Sequence, residues 1–464
     1  MKRIFIALAL MLSMAAPAFA VDFAFHGDLN NRSRVVTNQA GFFNGADKST
    51  SFTGNTVNDP RSAIITDDDS SDSMVDMKYR LWTEISSDEG GIKGVYAIEL
   101  AQEFGGAAGA DFGGDDSNIM TRWAYTDFAL GDGRMKVGLM GMSVNKYFWQ
   151  ETATGINYKV DAGMGNLELA WYRPYEVVND ESENNNFEDL DALYARYNFK
   201  PNSDTTIGFF GVWQHSDGKT VTDSVNPAED IQNWYLKYSY TQNTPNGADI
   251  DLYTFGVDGS TKSGDFFANW DVMFQTGDYA EAYDFGGYFA HFDVGMNMGK
   301  GKFTYTFWYA SGDDERDDTD YDAFIATDVD LFESVVFFEG YTDSDYFSPV
   351  PYLQDKGMIF NRIKYDHTVT DKLKVGAAAI YMMTAEDLEY DAAGDGVNDG
   401  IYSDDEIGLE LDAYVSYKLF SNTEFAVAAG YLMTGDVMDF YEEDLDGSAD
   451  EDIWMVESRV RYKF

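Results

Sequence analysis

The chain is 464 residues long and carries 81 acidic against 32 basic side chains, a formal net charge of −49; so negative a polymer repels phosphate, which sets nucleic acid aside as a partner. It contains no cysteine, which removes disulfides, thiol nucleophiles and cysteine-ligated zinc or iron–sulfur centres together. Aromatic residues make up 16% of it, with 43 glycines and only 8 prolines, a balance that suits strands, tight turns and aromatic side chains at an interface.

In chain order, residues 1–20 have the pattern of a cleaved export signal. Lys2 and Arg3 give a positive start, Ile4 to Leu12 an apolar run, and Ala18-Phe19-Ala20 small residues at the cleavage positions. The run is far shorter than the ~20 residues a helix needs to cross a bilayer. Residues 21–464 contain no proline-, serine- or glycine-rich linker and no apolar stretch of spanning length. They are expected to form a single domain, and in a membrane that domain could only be a closed barrel.

From there to the C-terminus the hydropathy alternates with period two. Strands are predicted at 22–36, 74–86, 92–104, 119–130, 134–144 and 154–163. They continue at 167–175, 189–199, 205–215, 248–258, 266–276 and 284–298, and end with 302–311, 357–369, 373–384, 407–420, 423–434 and 453–464. Short connections such as Asp88-Glu-Gly-Gly91, Gly131-Asp-Gly133, Gly165-Asn166 and Ser421-Asn422 carry turn chemistry. The connections between them are long and acidic, above all within 312–356, 385–406 and 435–452. The expected fold is all-β: a transmembrane antiparallel up-and-down β-barrel of 18 strands, with short periplasmic turns and long acidic extracellular loops. Segment 231–240 also alternates; assigned to the fifth long loop it leaves an even count, with 16 strands as the alternative.

The last strand fixes which face is which. Trp454, Val456, Val460, Tyr462 and Phe464 fall on one side, and Met455, Glu457, Arg459, Arg461 and Lys463 on the other. A lipid-facing exterior and a watery interior explain that division. The same phase turns Arg32, Arg34, Asp76, Lys78, Arg80 and Glu84 inward, followed by Arg134, Lys136, Lys159, Arg196, Arg362 and Lys364. A dry core could not hold so many charges without a partner for each. The expected bore is therefore wet, and facing charges would set up a transverse field that sorts solutes.

Two segments are candidates for narrowing it. Lys146, Tyr147, Phe148, Trp149 and Glu151 lie in the third long-side connection, which is short. The rival is the connection 312–356, which contains the apolar run Leu331 to Phe338 and would serve as lid, plug or subunit contact. In Asp395 to Glu406, the residues Asp395, Asp399 and Glu406 stand at the first, fifth and twelfth places of a calcium-loop pattern, with Gly400 at the sixth. Val397 occupies a ligand position, so Ca²⁺ at the acidic extracellular loops competes with a plain solvated loop; even then cations could bridge these loops to lipopolysaccharide phosphates. No cofactor is required. Enzyme signatures are poor, since His26, His215, His291 and His367 share no metal-ligand spacing and no nucleophile elbow is present.

Trp308-Tyr-Ala-Ser-Gly-Asp-Asp314, ending the thirteenth strand, is similar to the segment at that place in the homotrimeric outer-membrane porins of sulfate-reducing bacteria and their relatives. The closing Arg461-Tyr-Lys-Phe464 and the strand-turn schedule resemble that general porin type too. The resemblance implies a homotrimer of passive channels in the outer membrane of a Gram-negative bacterium, while the short third connection and the acidity depart from it. The expected function is a water-filled channel for diffusion of small hydrophilic solutes and ions, tolerant of anions. The alternatives are a substrate-selective barrel channel for sugars or oxyanions and a non-conducting structural or adhesive surface barrel.

Overall fold

The computed structural model describes residues 21–37, 72–87, 91–104, 118–175, 190–217, 249–279, 283–314, 319–327, 329, 331–338, 352, 356–391, 401–441 and 452–464. The export-signal residues, segment 231–240, Asp395 and Asp399 lie outside them. The first six long strands are β1 (Val21–Thr37), β2 (Asp72–Ser87), β3 (Ile92–Glu103), β4 (Asn118–Leu130), β5 (Gly133–Asn145) and β6 (Trp149–Ala162). Next come β7 (Gly165–Tyr175), β8 (Leu190–Phe199), β9 (Thr205–Asp217), β10 (Asp249–Ser263), β11 (Phe266–Tyr279) and β12 (Tyr288–Met298). The last six are β13 (Gly301–Ala310), β14 (Met358–Thr368), β15 (Leu373–Asp391), β16 (Ile401–Phe420), β17 (Thr423–Thr434) and β18 (Ile453–Lys463).

Each strand pairs antiparallel with its chain neighbours, and β18 returns to β1 in the register Asp28↔Lys463 through Thr37↔Trp454. The result is a closed antiparallel barrel of 18 strands, in which each strand has a partner on both sides and none is left as an edge. Every predicted strand is present, and the sixteen-strand alternative is discarded. Two short strands, Tyr283–Phe285 and Asp320–Tyr321, pair in parallel above β11 and β12.

Closure is sealed at the C-terminus. Phe464 donates its N–H to Gly27 O at 3.0 Å and accepts the Gly27 N–H at 2.9 Å. Its ring lies where a Cβ on residue 27 would stand, so only glycine permits the contact.

Several boundaries differ from those expected; β10 runs five residues past 258 to Ser263 and β12 starts at Tyr288 rather than 284. β6 begins at Trp149, five residues early, so the third long-side connection shrinks to a three-residue turn, 146–148. β15 and β16 run on past 384 and start before 407, pairing Leu388↔Asp404 through Asp391↔Ile401 beyond an irregularity at Met382 and Met383. Part of the acidic stretch expected as loop is therefore ladder, because backbone pairing tolerates carboxylates that still reach water, as Asp404 and Glu406 do.

Large apolar side chains are exposed along the outside, among them Leu81, Tyr96, Phe209, Phe255, Val272 and Val456. Aromatic side chains mark both rims, with Tyr158, Phe303, Tyr365 and Tyr462 toward the short turns and Trp171, Trp213, Tyr288, Tyr431 and Trp454 toward the long loops. The compact apolar cluster of the molecule lies inside the barrel, against the inner wall.

Candidate functional site within the bore

The long connection between β13 and β14 folds inward. Ser311 fixes its start, donating Oγ–H to Asp322 O at 2.6 Å and accepting the Tyr288 N–H at 2.9 Å. The inward-facing amide of Gln275 on β11 then imitates a strand partner. It accepts the Ile325 N–H and donates to Ile325 O, both at 2.8 Å. Thr327 donates to Gln214 on β9 at 3.0 Å. The chain next reaches β16, where Glu410 accepts the N–H groups of Val336 and Phe337 at 2.5 and 3.1 Å and Asp412 accepts that of Val335 at 3.2 Å. Backbone groups that no ladder could serve are thus satisfied by side chains of two strands, β11 and β16, and Gln214 on β9 adds a side-chain contact.

Aromatic burial supplies the driving force. Tyr147, Phe148, Phe289, Trp308, Phe324, Phe338, Tyr352 and Phe360 are each at most 2% exposed and form one cluster. Trp308 stacks on Phe360 with centroids 4.9 Å apart, and Tyr147 meets Phe289 at the same distance. Rings of this size hide so much apolar area that an inward loop is favoured over a solvated one.

The short turn 146–148 belongs to the same body. Lys146 donates to Glu333 at 2.7 Å, Tyr352 donates its hydroxyl to Tyr147 O at 2.7 Å, and Phe148 O accepts the Thr327 N–H at 2.8 Å. The two segments offered by the sequence as rivals are therefore one plug. Glu151 stands apart and pairs with Arg122 at 2.9 Å. Glu333 is also held by Arg362 at 2.7 Å. Burial works against its charge, yet the Arg362 and Lys146 cations prevail and hold its carboxyl down to about 2. Burial pushes the Tyr147 and Tyr352 hydroxyls well above their ordinary range, which keeps both neutral.

The register places each charged residue singled out in the sequence on the inner face, mostly in wall ion pairs. Arg32 grips Asp76 at 2.7 and 2.5 Å, Arg80 meets Glu99, and Lys93 reaches Glu84 at 3.1 Å. Arg134 binds Asp127 at 2.8 Å, Lys136 lies over the Tyr125 ring, and Lys159 approaches Glu168 at 3.7 Å. Arg196 clamps Asp258 at 2.7 and 2.5 Å. Lys364 sits between Asp366 and the Tyr414 ring, and Arg459 and Arg461 bind Glu424 and Asp28. Arg32, Arg34, Asp76, Lys78 and Glu457 are buried, so these five do not line open water. Alternation reports the face a side chain takes, not what covers it. Glu406 lies on β16, and among the described residues no group of three or more candidate ligands is placed to hold a metal ion.

Sequence reasoning passed over Gln214, Gln275, Glu410 and Asp412, which anchor the plug, and the row Asp271–His291–Asp293 beneath it. His291 Nδ1 is 2.6 Å from Asp271, its Nε2 is 3.4 Å from Asp293, and Asp271 also accepts from Asn145 at 2.5 Å. Their inward phase was the available signal. Nothing in one strand tells which inward residue a distant loop will meet.

No protein-family model matches the chain, and no curated protein does. Solved structures do, across nearly the whole length. Pseudomonas aeruginosa OccK9 (OpdG) superposes with a TM-score of 0.54 at 11% identity, covering 96% of this chain and 98% of its own. For P. aeruginosa OpdK, solved with vanillate, the values are 0.52, 9%, 95% and 98%. For the outer-membrane protein OprD they are 0.50, 11%, 95% and 93%. What is shared is the fold. The identities are too low to carry individual residues across.

Proposed function

We propose that this chain is an outer-membrane porin, a passive channel through which small hydrophilic solutes and ions diffuse. The observation that carries the reading is the division of a closed ring into an apolar outer band and a charged inner wall, the arrangement that lets a sheet face lipid and water at once. No chemical step is assigned to it. Export by the signal at residues 1–20 and residence in a Gram-negative outer membrane follow from the same reading. So does contact of the acidic outer loops with lipopolysaccharide, bridged by Ca²⁺ or another divalent cation.

The resemblance of Trp308 to Asp314 to the porins of sulfate-reducing bacteria supports a homotrimer. In this chain that segment carries Trp308 of the aromatic cluster and Ser311, the anchor of the inward loop, so its residues suit a plug hinge. A second reading, a substrate-selective channel, is favoured by the plug itself, because a loop fixed by Gln275, Glu410 and Asp412 narrows the bore. Addition of candidate solutes to a single open channel separates the two. Saturable current block by one solute class supports selectivity, and unaffected current supports simple diffusion.

A further inference from the structure

We propose that the bore holds, at its short-turn end, a binding site for small multivalent oxyanions that selects by charge rather than shape. Between the turns 369–372 and 421–422, a recess of about 670 Å³ opens on the inner ends of β15 to β18. Six cationic side chains line it, Lys372, Lys374, Lys418, Lys463, Arg459 and Arg461, against two carboxylates, Asp371 and Glu424. Asp28 on the neighbouring strand β1, paired with Arg461 and Lys463, adds a third. In a chain with a net charge of −49, this is a local inversion of sign.

The two guanidinium groups are already engaged. Arg461 binds Asp28 through two contacts of 2.8 and 2.6 Å, and Arg459 reaches Glu424 at 3.0 Å. Ser416 donates to the other oxygen of Glu424 at 2.8 Å, which uses up that carboxylate. Three of the four ammonium groups are not so engaged, and the fourth, Lys463, shares Asp28 with Arg461. Lys372, Lys374 and Lys418 form no ion pair among the described residues, and Lys463 is 59% exposed with its Nζ 3.5 Å from Asp28. The Lys418 N–H donates to Lys372 O at 2.8 Å and Lys374 stands opposite Ser416, which fixes the three lysine backbones beside one another.

Like charges held together in a concave wall raise the local concentration of counter-ions. An ammonium is a compact, freely rotating point charge without the planar fork by which arginine reads a carboxylate or phosphate. A site whose open cations are all lysines therefore ranks ligands by valence. Pyrophosphate and citrate should bind alike despite their different shapes, and both should exceed monovalent phosphate and chloride. Screening over about 8 Å at physiological ionic strength makes the binding weaken as salt rises. The effect on traffic rests on the channel reading proposed above; the binding itself does not.

Titration calorimetry on the purified full-length chain in detergent, with inorganic pyrophosphate and with citrate at low salt, tests the site. Both are expected to bind at one site per barrel, with affinity falling as salt is added. The Lys374→Gln/Lys418→Gln variant should bind about tenfold more weakly or worse, and Lys374→Arg/Lys418→Arg should retain affinity. If the double glutamine variant loses its β-type circular dichroism, Lys372→Gln in the exposed turn serves instead, with a smaller loss expected. No binding heat, equal affinity in the glutamine variant, or pyrophosphate no tighter than chloride would overturn the proposal. In a planar bilayer, pyrophosphate on the short-turn side should reduce the current. Binding without any conductance refutes the channel and leaves the site standing, whereas conductance without binding does the reverse.

Discussion

Glu333, carried on the inward connection, accepts the Nζ of Lys146 from the turn between β5 and β6 at 2.7 Å. Two segments 187 residues apart in the chain are locked by one ion pair, and Arg362 on β14 closes the triangle at 2.7 Å. The plug is thereby fastened to both sides of the wall.

Removing that carboxylate should loosen the plug. Glu333→Gln leaves Arg362 buried without its counter-charge, a loss worth about 3–5 kcal/mol for a broken buried pair. Larger and noisier single-channel current is expected while the circular dichroism of the barrel stays unchanged. A variant with the conductance of the parent would show that the ion pair does not hold the plug.

The pH response of the same latch has a definite sign. The carboxyl of Glu333 falls from an ordinary 4.5 to about 2 on docking. Its stabilisation is then complete above 4.5 and lost as pH drops through about 2. Conductance recorded from pH 8 down to 5 should therefore show no opening due to Glu333, with any release confined to strongly acid solution. Opening centred at pH 5 to 6 would mean that another group controls the plug.

Gly430 on β17 provides a steric handle. A Cβ there would stand 2.8 Å from Asp412 Oδ1, from Val335 Cβ and from Val336 Cγ2, too close for any of them to stay in place. Gly430→Ala should displace the apolar run of the plug and change the single-channel conductance without unfolding the strands. Unaltered conductance would place Val335 and Val336 elsewhere in the working protein.

Barrel closure can be attacked at Gly27. In Gly27→Val the new side chain takes the space of the Phe464 ring, and the pairing of first and last strands is disturbed where it ends. The folded band on unheated gel electrophoresis should weaken or disappear, and shortening residue 464 in the double variant Gly27→Val/Phe464→Ala should restore part of it.

The strand schedule could be read from the sequence because lipid outside and water inside impose a period of two on every strand, as the division of Trp454 and Val456 from Glu457 and Arg459 shows. The plug was half legible. Leu331 to Phe338 is too apolar for a solvated loop, yet its docking sites on Gln275 and Glu410 depend on contacts 50 and 74 residues away. The fate of Arg32 and Lys78 was not legible at all. Both face inward as their phase requires, but both are buried, and burial within a bore depends on how loops fold over it.

The most direct measurement is the current through the purified chain in a planar lipid bilayer. Discrete, stable steps with a linear current–voltage relation are expected from a hydrated bore within a closed ring. A bilayer that stays silent although the folded barrel has inserted would contradict the channel.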